Sequence, residues 1–193
     1  MRRLISLLAV ACVALLMAGA ALADSGPPRT SKQTVRDEIA AAIPTATRKQ
    51  DADRLRDALK ALDESLDPDL WVDEYHPQPK GGEKVFDREK AAVHDLIAIQ
   101  NDKNSQFDDA TLQDWIDRIV RADYEIAKRA RQDALANPGG YDQAAYDKST
   151  IEFAKALQAY DPDNPELSEG KPEEAIAHLK NSWKFALQSI KKA

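Results

Sequence analysis

The sequence predicts an all-α protein, a bundle of about five helices with one long packed loop spanning about residues 67–86. Three observations carry that prediction. Apolar residues recur every three or four positions in several long segments, which is the spacing of one helix face. No segment alternates apolar and polar with period two for long enough to form a strand. Proline and glycine fall between the periodic segments and not inside them.

The chain opens with a different kind of segment. Met1-Arg2-Arg3 is basic, Leu4 to Leu16 is almost unbroken apolar sequence, and Ala21-Leu22-Ala23 is the small-x-small pattern that signal peptidase accepts. Residues 1–23 therefore read as a cleavable signal peptide, and the protein as exported, periplasmic or extracellular. The apolar core is shorter than a retained membrane span requires, so the mature protein is expected not to span a membrane. Cys12, the one cysteine, lies in this segment. Ala9-Val10-Ala11-Cys12 loosely resembles a lipoprotein box, which leaves lipidation at Cys12 as the alternative to cleavage after Ala23.

Removing Arg2 and Arg3 takes the basic residues from 27 to 25 against 33 acidic ones, a formal charge of −8 for the mature chain. A surface of that sign repels phosphates, so nucleic acid is not an expected partner. With Cys12 gone, disulfides and thiolate chemistry are excluded. About 170 residues are enough for a core without covalent staples.

Residues 24–46 read as a flexible or partly helical arm, with Ser25 to Ser31 a disordered spacer and a short helix from Lys32 to Ile43 before Pro44. The helical domain is expected over residues 47–193. Ala52, Leu55, Leu59, Leu62 and Leu66 share one face of a helix from about Thr47 to Leu66, which Asp67-Pro68 stops. The connection that follows holds three prolines and a Gly-Gly pair, together with Leu70, Trp71, Val72, Tyr75, Val85 and Phe86. A solvated linker would not carry so much apolar area, so Trp71 and Phe86 are expected to pin it across the helices.

Asp87 is the expected N-cap of a helix through Gln100. Asp108 or Asp109 caps the longest helix, which carries Leu112, Trp115, Ile116, Ile119, Val120, Tyr124, Ala127 and Ala130 inward and ends at the turn 137–140. A further helix spans about Gln143 to Tyr160, with Tyr146, Ile151, Ala154 and Leu157 as core positions. The last begins at Pro172, a favoured first-turn residue, and buries Ile176, Leu179, Trp183, Leu187 and Ile190.

Four segments, SLDPDLWVDEYHP, PKGGEKVFDREKAAVHDLI, LQDWIDRIVRADYEIAKRA and GKPEEAIAHLKNSWKFA, occur in an order that resembles the small helical FIMAH domain of secreted and membrane-anchored bacterial proteins. The resemblance covers about Ala52 to Ala186 and is most specific at Asp67-Pro68-Asp69-Leu70-Trp71 and Val85-Phe86-Asp87. It implies a non-enzymatic accessory module and transfers no active site. The segment from Gly170 through Glu173-Glu174-Ala175-Ile176 also resembles one tetratricopeptide helix, without the 34-residue repeat that defines such arrays.

Few residues offer chemistry. His76, His94 and His178 are the three histidines, and no two lie three to five apart as a helical metal site requires. Asp161, Asp163, Asn164 and Glu166 mimic the start of a calcium loop, but Glu166 and Pro172 stand where glycine and glutamate are needed. Asp123 falls within the apolar stripe of the longest helix, so it is read as a structural buried acid that must be paired, by a salt bridge or hydrogen bond to the loop or a neighbouring helix, with tying down the Trp71 loop through its backbone amides as its expected task. Phosphate-binding loops, nucleophile elbows and basic aromatic stripes are absent from the sequence, and no cofactor is expected. The expected role is therefore a non-catalytic interaction module whose binding surface is Leu70, Trp71, Tyr75 and His76 and whose partner is an envelope or extracellular protein. The rival is a small-ligand or divalent-metal binder built on His76 and His94.

Overall fold

The computed structural model describes residues 26–190; the signal-peptide reading, Cys12 and the cleavage point at Ala23 lie outside the described residues. Six α-helices are present there: α1 Pro28–Ala42, α2 Lys49–Ser65, α3 Glu83–Gln100, α4 Asp109–Ala136, α5 Gln143–Ala159 and α6 Pro172–Ser189. Short 3-10 turns and two isolated bridges are the remaining regular structure among the described residues, which form no extended strand. No helix of the described residues is long and apolar enough to cross a membrane.

The helix boundaries follow local chemistry. Asp108 accepts from the Thr111 amide at 3.2 Å and Asp142 from the Ala145 amide at 2.8 Å, so α4 and α5 each start on an aspartate cap. Pro172 opens α6 with Glu173 and Glu174 in its first turn, where carboxylates favour the positive end of the helix dipole. Asp67 accepts from the Asp69 amide at 3.0 Å and turns the chain after α2.

All six helices feed one core. α6 packs against α5, α4 and α3; α2 pairs with α3, and α1 lies on α4 and α2. Leu55, Leu62, Leu96, Leu112, Ile119, Ile126 and Ile176 are fully buried in it, each worth about 1.5–3 kcal/mol relative to exposure. Phe86 and Trp183 meet there with ring centroids 5.7 Å apart.

Three expectations are corrected. The arm expected to be flexible or partly helical, with a helix from Lys32, is helical already from Pro28, and its Val35 and Ile39 are fully buried in the common core. The spacing 32, 35, 39 lays one face of α1 against its neighbours, so packing holds it regardless of the polar run before it. α3 starts at Glu83 and not behind Asp87, so Val85 and Phe86 belong to a helix and the connection is shorter than expected. Gly81, at φ +95°, reverses the chain there. Gly82 sits so close to the preceding loop that a Cβ would lie 2.3 Å from the Gln78 carbonyl oxygen. Asp87 instead pairs with Lys180 of α6 at 2.6 Å. In α5, Ile151 is 55% exposed and Ala154 exposed, while Ser149, Ala156 and Ala159 are buried. The close approach of α5 to α6 selects small side chains: the Ser149 hydroxyl donates to the Ser182 carbonyl at 2.8 Å, and the Ser182 hydroxyl to the Ser149 carbonyl at 2.9 Å.

Candidate functional site

The loop between α2 and α3 is anchored from both sides. Trp71 is 4% exposed, and its indole nitrogen donates to the Ser65 carbonyl at 2.8 Å. Around it the chain doubles back: the Gln78 amide donates to the Leu70 carbonyl and the Val72 amide to the His76 carbonyl, both at 2.8 Å. Inside this closed turn the Asp73 carboxylate accepts from the amides of Tyr75 at 2.8 Å and His76 at 3.0 Å. Burial pushes the Asp73 carboxyl up, but those amides and the His76 ring outweigh it and hold the group below the usual carboxylate range.

Two further contacts fix the tip of the loop. His76 has Asp73 2.7 Å from Nδ1 and Asp133 of α4 2.9 Å from Nε2. Glu74 accepts from the Arg29 amide at 3.2 Å and from the Thr30 hydroxyl at 2.9 Å, both at the start of α1. Val72 and Tyr75 face outward, 58% and 41% exposed, on either side of the exposed carboxylates of Asp73 and Glu74, with the Arg129 guanidinium 6.0 Å from the Tyr75 ring centre. Of the expected binding residues, then, Tyr75 stands at the surface, Leu70 and His76 are half-buried, and Trp71 is the buried anchor.

Beneath Trp71 lies a cluster of charge. The Lys32 ammonium donates to Glu89 Oε2 and to Asp123 Oδ1, each at 2.8 Å, and all three side chains are fully buried. Its nitrogen is 5.2 Å from the Trp71 ring centre, within reach of a cation–π contact. Burial lowers the affinity of Lys32 for its proton, and the two carboxyls more than reverse that, so its pKa stands above the ordinary lysine value. Glu89 is driven well above the ordinary glutamate value by burial first and then by Asp123 beside it. A proton kept on Glu89 makes the cluster neutral, one cation against one carboxylate. Glu89 Oε1 and Asp123 Oδ2 are buried with no hydrogen-bond partner among the described residues.

Asp123 is thus paired by a salt bridge to Lys32 of the neighbouring helix α1, and it reaches the Trp71 loop through Lys32 and not through loop amides. Lys32 and Glu89 escaped the sequence reading, although the signal was there. Lys32 shares the face of Val35 and Ile39, and Glu89 the face of Val85, Phe86, Ala92, Val93 and Leu96. The rule that singled out Asp123, a charge at helical spacing within an apolar stripe, finds both once the true starts of α1 and α3 are known.

His94 is exposed and faces Glu173 at 3.2 Å, and His178 faces Glu152 at 2.8 Å, so His76 and His94 share no partner. Among the described residues no three histidine, cysteine, aspartate or glutamate side chains converge as a metal site would need. A cleft of about 370 Å³ opens between α3, α4 and the segment before α6, lined by Gln100, Asn101, Gln113, Asp117 and Tyr160. Its polar groups satisfy one another: the Tyr160 hydroxyl donates to Asp117, and Gln113 donates to Asp117 at 2.9 Å and also to Tyr160. Comparison of the chain with family models, curated proteins and solved structures finds no match.

Proposed function

We propose that the chain works after export as a non-catalytic interaction module, akin to the FIMAH-like domains it resembles, and that it recognises another envelope or extracellular protein through the Trp71 loop. The observation that carries this reading is the exposure of Val72 and Tyr75, at 58% and 41%, on a loop whose backbone is closed on itself and tied to α1 and α4. Exposed apolar side chains on a mobile loop lose ordering entropy when they bind; on a loop already held, that cost is absent and contact area converts more fully to affinity. An aromatic with an arginine beside it is the composition found at binding hot spots. The metal-binding rival has less support, because a carboxylate already faces each ring nitrogen of His76 and His94 stands with a different partner.

The test is quantitative capture from envelope extract by the wild-type protein and by Val72→Asp and Tyr75→Ser side by side. A single species held by wild type should fall at least tenfold with each variant, while the thermal midpoints stay within a few degrees, since both residues are exposed. Equal retention by all three proteins sinks the proposal.

A further inference from the structure

We infer that Lys32 and Asp123 become joined by an isopeptide bond, an amide between the lysine Nζ and the aspartate Cγ, which the folded chain forms unaided with Glu89 as the proton carrier. The inference stands on geometry. The bonding nitrogen lies 2.8 Å from Asp123 Oδ1 and 2.8 Å from Glu89 Oε2, and none of the three side chains has any exposed surface. Lys32 sits in the first half of α1 and Asp123 in the middle of α4, 91 positions apart, so the packing of two helices is what brings them together.

Three physical arguments favour condensation at this point. Reactants held in near-attack geometry behave as though at effective concentrations of about 10⁵–10⁸ M, and here the attacking nitrogen is already fixed 2.8 Å from an oxygen bonded to the carbon it would attack. In water the reverse reaction, hydrolysis, is driven by solvent; a fully buried site has none to supply, and the water released leaves the core. Finally, the product amide carries no net charge, so the condensed pair leaves no ion to be held without water in the core. The two orphaned oxygens fit the same chemistry. Glu89 Oε1 and Asp123 Oδ2 have no other partner, and a proton passed between the two carboxyls is what would satisfy them.

The step balances without any co-reactant. The Lys32 ammonium passes a proton to the Asp123 carboxylate, leaving a neutral amine beside a carboxylic acid. The nitrogen lone pair attacks Cγ and the new C–N bond forms. Glu89 gives its proton to the departing hydroxyl and recovers one from the nitrogen, the C–O bond breaks, and water leaves. The net change is ammonium plus carboxylate to amide plus water, with Glu89 as it began. Glu89 suits this part by its place, since its Oε2 already accepts from the Lys32 nitrogen at 2.8 Å, and burial raises its hold on a proton well above that of an ordinary glutamate. The product ties α1 to α4 in a chain whose single cysteine allows no internal disulfide.

Peptide mapping of the full-length chain, purified folded and then denatured, decides the matter. Trypsin should fail to cut after Lys32 and should yield residues 30–36 joined to residues 122–128, lighter than the two peptides together by one water. Fragmentation should put the branch at Lys32 and Asp123. Glu89→Gln matches the protonated carboxyl in shape but cannot exchange its proton, so it should fold with the same helical spectrum and give the two peptides unlinked; if it fails to fold, Glu89→Asp carries the same comparison and should link more slowly. Separate peptides of full mass from folded wild-type protein overturn the bond. A branch to Glu89, or full linkage in the folded Glu89 variant, overturns the assigned roles.

Discussion

At the scale of the residue, Trp71 shows how one side chain joins a sequence pattern to a surface. Its indole nitrogen satisfies the carbonyl of Ser65 at the end of α2, its ring covers the buried Lys32 ammonium, and its backbone begins the closed turn that presents Val72 and Tyr75. A lone tryptophan in a proline-rich stretch was legible as an anchor, because only a packed ring explains so much apolar area in such a segment. Its partners were not legible, since a lysine on a helix 39 positions earlier gives no local sign of where it points. Trp71→Phe retains most of the ring but removes the donor, leaving the Ser65 carbonyl buried and unpaired. The expected loss is about 1–3 kcal/mol in urea unfolding, with an unchanged slope because the surface exposed on unfolding is nearly the same. A loss below about 0.3 kcal/mol would mean that another donor takes over the carbonyl.

At the scale of the element, α5 and α6 are held together by two different devices. Midway along, Ser149 and Ser182 exchange hydroxyl-to-carbonyl bonds inside the contact. Beside them Glu152 accepts from Lys155 at 2.7 Å, from His178 at 2.8 Å and from Asn181 at 3.3 Å. Burial pushes the Glu152 carboxyl up, and these donors together pull it below the ordinary glutamate value of 4.5. A carboxyl whose folded pKa is depressed lends stability above its unfolded pKa and loses it as pH falls through the folded one. Glu152→Gln should therefore lower the thermal midpoint by a roughly constant amount above about pH 4.5, and the gap to wild type should close on further acidification. Thermal melts of both proteins across pH 3 to 7 give the comparison, and a gap that widens toward acid contradicts the assignment. Periodicity misreads this helix because Ile151 outweighs Ser149 and Ala156 on any hydrophobicity scale, although Leu157 does pack against the core. Close packing of two helices favours small side chains, and that preference runs against the one that periodicity measures.

At the scale of the whole molecule the question is what counts as the domain. Apolar spacing is a strong signal in α2 and α4, where long stripes stand between charged flanks, and those elements were legible to within about two residues. It is weak in α1, whose inward face carries a lysine, so a segment essential to the core reads as an arm. Val35 and Ile39 of that helix are fully buried, Lys32 supplies the cation for Glu89 and Asp123, and Glu38 pairs with Arg118 and accepts from the Trp115 indole at 2.8 Å. Two buried aliphatics are worth about 1.5–3 kcal/mol each, and stripping the partner from a buried ion pair costs about 3–5 kcal/mol. Together these rival the entire net stability of an ordinary domain, about 5–15 kcal/mol. A chain beginning at residue 47 should accordingly keep much of its helical far-ultraviolet signal but lose the cooperative thermal transition and the near-ultraviolet signature of packed tryptophans, and it should bind a hydrophobic dye that the longer chain excludes. A sharp transition within a few degrees of the longer chain would show that Glu89 and Asp123 find another way to be satisfied, and would restore the boundary at residue 47 that periodicity alone proposes.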